Sequence, residues 1–244
     1  VGGDAGDLPV DPDDAARWRA RLAGASEVWP LSPSQAGMLF HRLLDGDDTP
    51  DVYVLQFVLD LAGAPHPARL RAASRELVAR HAVLRAAVLS DGVEPAQVIM
   101  AGAEPDWTIV DLSSWPDGER DAEAARLVEA DRAARFDLAS PPLLRFLWVR
   151  LDADRARLAV CAHHIVVDGW SLPLMLRELF TLAAAEPGAA DQGAASVPAT
   201  PSRPYSDYLR WLRAQDADAA RAAWRTELAG LDGPTLLAGG GGGH

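Results

Sequence analysis

Lysine is missing from this 244-residue chain: all 23 basic side chains are arginine. The arginines are scattered among 35 acidic residues, for a formal net charge of −12 and a pI of about 4.8. No basic block or face emerges, which disfavours a nucleic-acid partner. Cysteine is scarce as well. A single Cys161 excludes an internal disulfide framework and fits a reducing compartment. No apolar run is long enough to span a bilayer, and no charged-then-apolar signal segment stands at the start. These absences lead to the expectation of a cytoplasmic protein with no membrane partner. What is plentiful is core material. Hydrophobic residues make up 49% of the chain, enough for one or two globular domains at this length.

The chain is organised around the stretch from Cys161 to Ser171, Cys-Ala-His-His-Ile-Val-Val-Asp-Gly-Trp-Ser. An apolar, strand-like run at 157–160 precedes it, and a helix-like run at 172–184 follows. Successive side chains of a strand point to opposite faces, so His163 and His164 do not share one cavity. One projects into a site while the other supports it from behind. Asp168 and Gly169 fall in the turn after the strand. Gly169 permits φ > 0 or close approach of a backbone N–H to a ligand, and Ser171 is a candidate cap for the next helix. An isolated His-His pair is more often core than site. The longer string His-His-x-x-x-Asp-Gly-x-Ser is far more specific.

Along the rest of the chain, residues 1–28 read as a flexible lead-in with a solvated linker helix at 11–22. Asp13 and Asp14 near its start and Arg17, Arg19 and Arg21 near its end suit the helix dipole. Residues 29–228 form the body. Ser32 is a candidate N-cap, with Pro33 at the first helical position and Gln35 at the capping-box position. Strands are expected at 52–61, 86–89, 97–100, 107–112 and 143–151, and helices at 70–80, 118–135 and 172–184. The last strand has little polarity, as in a sheet covered on both faces. Arg145 interrupts it, facing either a carboxylate, a channel wall or solvent. A loop rich in Ala, Gly, Ser and Pro spans 186–204. One long helix is then expected to about Leu228, with Tyr208, Trp211, Leu212 and Trp224 on the core. Residues 229–244 are a flexible end.

Four segments carry a family resemblance. Trp29-Pro-Leu-Ser-Pro-Ser-Gln-Ala-Gly-Met-Leu-Phe-His41, Arg80-His81-x-x-Leu84-Arg85, the string around His163 and His164, and Tyr205-x-Asp-Tyr208-x-x-Trp211 occur in this order. Together they resemble the motifs of the condensation domains of nonribosomal peptide synthetases, of the chloramphenicol acetyltransferase-like superfamily. Arg135-Phe-Asp-Leu-Ala-Ser-Pro-Pro-Leu-Leu-Arg145 is also similar to a family segment, with Pro141 where glycine is usual. The resemblance implies an α/β (α+β) two-layer sandwich, a mixed β-sheet flanked by helices. It covers the N-terminal lobe of such a domain and leaves the C-terminal lobe to be supplied.

The implied reaction is amide formation between an upstream acyl or peptidyl thioester and a downstream aminoacyl thioester. Phosphopantetheine arms on donor and acceptor peptidyl carrier proteins hold both, next to an adenylation domain. No cofactor or metal is implied in the chain itself, and the isolated lobe is expected to be inactive. His164 is the expected catalytic group, since an imidazole can take or hold a proton at neutral pH. Orientation of the amine is the other role open to it. His163 and Gly169 complete the implied site. Asp168, Arg85, Trp170 and Ser171 are implied supports, and in the family the arginine at the place of Arg85 pairs with the aspartate at the place of Asp168. Two alternatives remain. A non-catalytic carrier-docking module would keep the fold without the chemistry. An epimerisation domain shares His-His-x-x-x-Asp-Gly but continues differently from Gly169-Trp170-Ser171.

Overall fold

The computed structural model describes residues 8–44, 49–63, 66–185, 203–231 and 233. Among these residues, seven strands form two sheets. The larger sheet runs in the order β2 (Val54–Ala62), β7 (Arg155–His163), β6 (Leu144–Arg150), β5 (Asp106–Asp111). It is mixed, because β5 and β6 are parallel while the other pairs are antiparallel. The smaller sheet is antiparallel, in the order β1 (Ala25–Pro30), β4 (Ala96–Met100), β3 (Ala86–Leu89). The α/β class and the helix-flanked mixed sheet are as the sequence implies. The second sheet and β1 are additions to it.

Period-2 alternation builds both sides of the larger sheet. Leu144, Phe146 and Trp148 of β6 join the main core. Leu147 and Val149 point the other way, to Ala124 and Leu127 of α4 (Asp117–Ala133). On the main-core side lie Leu70 and Leu77 of α3 (Pro67–Arg80) and Leu172 and Leu179 of α5 (Ser171–Ala184). Arg145 does reach a carboxylate: its Nε stands 3.0 Å from Asp131 of α4, and its guanidinium lies over the Phe136 ring at 4.1 Å. A nearly apolar strand can hold one arginine because the charge is paired there.

The lead-in helix, α1 (Pro12–Arg21), is not a solvated linker. Asp11 caps it, accepting from the N–H groups of Asp13 and Asp14 at 3.0 Å. Trp18 is fully buried and its indole N–H donates to Asp91 at 2.8 Å. Asp14 accepts from the Val93 N–H at 2.6 Å, and Arg21 pairs with Asp91 at 2.6 Å. The helix thus clasps the turn between β3 and β4. Gly92 makes this approach possible: a Cβ there would lie 2.4 Å from Asp14 Oδ2 and 2.6 Å from the Trp18 ring.

The single long helix expected after Pro204 is two, α6 (Tyr205–Arg213) and α7 (Ala217–Glu227). Asp216 starts the second by accepting from the N–H groups of Asp218 and Ala219, so the cap residue breaks the helix. The aromatic face also differs from expectation. Tyr208, Trp211 and Trp224 are exposed, while Leu209 and Ser206 are the buried residues of α6. The expected loop falls outside the described residues from 186 to 202, as does the glycine run at 239–243. Among the described residues no helix is long and apolar enough to cross a membrane.

Candidate active site

Strand β7 ends on His163, and the turn that follows carries His164 to the opposite side. His163, its last residue, lies on the side of Cys161, whose thiol donates to Asp131 of α4 at 2.9 Å. His163 is fully buried, edge-on to Phe136 with ring centroids 6.4 Å apart. Its Nδ1 accepts from the Ile165 N–H at 3.1 Å. Burial pushes its pKa down, against the pull of the Asp51 carboxylate, so the ring is neutral at pH 7. His164 turns the other way. It is half-buried and lines a cleft of about 730 Å³. Its own N–H donates to the Tyr53 carbonyl at 2.8 Å, which pins the backbone where the side chain departs. Cys161 offers no competing nucleophile, since burial and the Asp131 carboxylate raise its thiol pKa to about 12.

Three helices wall this cleft. Helix α2 (Pro33–Leu44) contributes Gln35 and Met38, α5 contributes Met175 and Glu178, and α6 contributes Tyr205 and Tyr208. The capping box expected at Ser32 is present and reciprocal. Ser32 Oγ accepts from the Gln35 N–H at 3.2 Å, and Gln35 Oε1 accepts from the Ser32 N–H at 3.0 Å. The same amide does more than cap. Gln35 Nε2 donates to the Ile165 carbonyl at 2.9 Å, which ties α2 to the residue after His164. Sequence reasoning did not find that second role, because a partner 130 positions away leaves no local signal. At the mouth, His81 Nε2 and Glu178 Oε2 stand 2.7 Å apart and join α3 to α5. His81 is therefore held by a specific carboxylate in addition to its place at a helix end.

The expected pairing of Arg85 with Asp168 is absent. Arg85 Nε donates to the Val78 carbonyl at 3.1 Å, and its Nη1 donates to the carbonyls of Met100 and Ala101. It thereby satisfies a carbonyl in the last turn of α3, where no intrahelical partner exists, and two more at the end of β4. Asp168 is exposed and needs no buried counter-ion. Its Oδ1 accepts from the Ser171 N–H at 2.7 Å, and its carbonyl accepts from the Leu172 N–H at 3.0 Å. Asp168, not Ser171, caps α5. Gly169 has no positive φ, and a Cβ there would meet nothing, so this lobe's backbone does not require glycine. Trp170 is 89% exposed and does not shape the cleft.

The cap carries a measurable consequence. Hydrogen bonding by the Ser171 side chain, reinforced by the backbone N–H groups of Ser171 and Trp170, holds the Asp168 carboxyl below the usual range. A carboxyl with a lowered folded pKa stabilises the fold above its unfolded value, about 3.9, and the benefit fades as pH falls through the folded value. Asp168→Ala is expected to cost about 1 kcal/mol at pH 7, the usual value of an N-cap. In thermal melts the gap to the natural protein should close below about pH 4. A gap that persists undiminished in acid contradicts the capping role.

The mixed sheet thus ends on a His-His pair with one ring in the core and one in an open cleft. Similarity to known proteins places the chain. The condensation domain family model matches residues 25–238, and the chain belongs to that family. It is 34% identical over 231 residues to bacitracin synthase 3 of Bacillus licheniformis, covering 94% of this chain and 4% of the relative. To tyrocidine synthase 3 of Brevibacillus parabrevis it is 31% identical over 212 residues, covering 85% of this chain and 3% of the relative. The solved starter condensation domain of rhizomide synthetase superposes with a TM-score of 0.69 at 20% identity, over 87% of this chain and 52% of that one. The chain thus spans a small fraction of the synthetases it matches and about half of the solved domain.

Proposed function

We propose that this chain is the histidine-bearing lobe of a two-lobed condensation domain, and that the completed domain joins two carrier-bound acyl groups by an amide bond. The observation that carries the reading is the placement of His164. Of the motif pair, it alone faces the cleft. The amine of a downstream aminoacyl thioester attacks the carbonyl of an upstream acyl thioester. A C–N bond forms, the C–S bond breaks, and the donor arm leaves as a thiol with the proton the amine gives up. His164 stands where it can orient that amine or hold that proton, either of which lowers the barrier. Phosphopantetheine on the donor and acceptor carriers supplies the thiols, so the lobe needs no resident cofactor for this step.

Two further observations support a second lobe over the cleft. The chain covers 52% of the solved rhizomide synthetase domain. Leu174 of α5, which lines the cleft, is 55% exposed, and Trp170, just before that helix, is 89% exposed. Apolar side chains so placed suit contact with another protein surface. On this reading the isolated lobe is inactive, and donor carrier, acceptor carrier and an adjacent adenylation domain are its working partners.

The intact mass of the acceptor carrier separates the readings. The completed domain is incubated with a loaded donor carrier and a loaded acceptor carrier. Condensation adds the donor's acyl mass to the acceptor. Epimerisation leaves both masses unchanged and inverts a stereocentre. Donor carrier bound with neither change identifies a docking module and overturns the proposal.

A further inference from the structure

Behind the cleft, the neutral ring of His163 is itself held, and by a group that no motif contains. Its Nδ1 accepts a hydrogen bond from the Ile165 N–H at 3.1 Å. A nitrogen that accepts carries no proton, so the single proton of the neutral ring sits on Nε2. Nε2 stands 3.4 Å from Oδ2 of Asp51, a carboxylate whose side chain is only 2% exposed. The other oxygen, Oδ1, accepts from the Tyr53 N–H at 2.9 Å. Arg42 Nε, near the end of α2, lies 3.5 Å from Oδ2 and supplies the counter-charge that a buried carboxylate requires. The Tyr53 ring lies 6.2 Å from the His163 ring, and Tyr53 also offers its carbonyl to the His164 N–H.

These contacts surround one residue. His164 lies between His163, whose ring Asp51 faces, and Ile165, whose N–H that ring receives. Its own N–H is taken by Tyr53, whose N–H in turn binds Asp51. We propose that Asp51, charge-balanced by Arg42, is a positioning residue for His164: it fixes the tautomer and tilt of His163, which locks the 163–165 turn and so aims His164 into the cleft. The proposal rests on the reading that His164 serves the condensation step. It adds to that reading a device from a different part of the sequence, the junction of α2 and β2, which reaches the chemistry through the back of β7.

The arrangement has a chemical logic. A buried imidazole can carry its proton on either nitrogen, and the ring can flip. With Nδ1 committed to a backbone N–H and a carboxylate facing Nε2, only one tautomer and one orientation satisfy both ends. Nε2 and Oδ2 approach to 3.4 Å without closing a hydrogen bond, so the carboxylate acts on the ring by its charge and its bulk; without it the ring is released, and the Ile165 N–H loses a fixed partner. A shift of about 1 Å in a group near the reacting atoms can cost roughly a hundredfold in rate.

The test uses the completed two-lobed domain with both carriers loaded, and four proteins: natural, Asp51→Ala, His164→Ala, and the double variant. Imidazole nitrogen NMR on the natural protein should show His163 with Nε2 protonated and Nδ1 bare. Asp51→Ala should lower the single-turnover rate at saturating carriers by about tenfold to a hundredfold, leave KM for the carriers unchanged, and mix the His163 tautomers. In the His164→Ala background it should change the rate by less than about twofold, because it acts through His164. Asp51→Asn, which keeps an acceptor oxygen, should retain the tautomer and lie closer to the natural rate than alanine does. If Asp51→Ala does not fold, this variant and the NMR of the natural protein decide. A proton on Nδ1, a folded Asp51→Ala at the natural rate, or rate losses that multiply in the double variant would each overturn the proposal. A His164→Ala protein at the natural rate would instead overturn the reading beneath it.

Discussion

Trp18→Ala is expected to destabilise the lobe by about 3–5 kcal/mol, the usual cost of truncating a large buried aromatic to alanine. In a domain of this size that lowers the melting temperature by roughly 6–20 °C. The effect is large because one side chain serves three contacts. Its ring is fully buried among Val28, Ala87 and Val98 of the smaller sheet. Its indole N–H donates to Asp91, which also pairs with Arg21. Its edge sits against Gly92, where no Cβ fits. Gly92→Val is expected to reproduce much of the loss from the opposite side, since its Cβ would displace Asp14 and Trp18 together. Calorimetry of the two variants checks both. If Trp18→Ala melted with the natural protein, α1 would be dispensable and residues 8–22 would be a linker after all.

The second large effect is on chemistry. His164→Ala is expected to leave the fold intact and to lower the condensation rate by about 10²–10⁴, the range for loss of a positioned acid–base group. The neighbouring substitution should cost stability as well as rate, because His163 holds the turn that aims His164. His163→Ala opens a cavity in the core and leaves the buried Ile165 N–H without its side-chain partner, a loss of about 1–3 kcal/mol. Thermal melts and single-turnover rates, measured together, should therefore separate two adjacent histidines: His163→Ala loses stability and rate together, and His164→Ala loses rate alone. Equal loss of stability in both variants would contradict that division.

Some of this is legible in the sequence and some is not, for physical reasons. The opposite sides of His163 and His164 are legible because strand alternation is a local property and carries from the last residue of β7 into the one that follows. The Ser32 to Gln35 capping box is legible for the same reason: both bonds close within three residues. The partners of Arg85 are not legible. Its guanidinium serves carbonyls at 78, 100 and 101, and carbonyls are present on every residue, so no sequence pattern marks them as targets. The aromatics of α6 look like core in sequence because an amphipathic pattern does not say which side is covered. Here Leu209 faces inward and the stacked Tyr208 and Trp211 face out. Asp51 gives no sequence signal at all. Its neighbours Arg42 and His163 lie on either side of it in sequence, and only folding brings β2 against β7 to join them.

The most direct measurement is the intact mass of the acceptor carrier over time, with the completed domain, both carriers loaded, and His164→Ala run beside the natural protein. The expected result is an acceptor carrying the donor's acyl group in the natural reaction and a hundredfold or greater slowing in the variant, with its melting temperature unchanged. Acyl transfer at the natural rate by a folded His164→Ala protein would contradict the proposed function, and would move the chemistry away from the one member of the His163–His164 pair that faces the cleft.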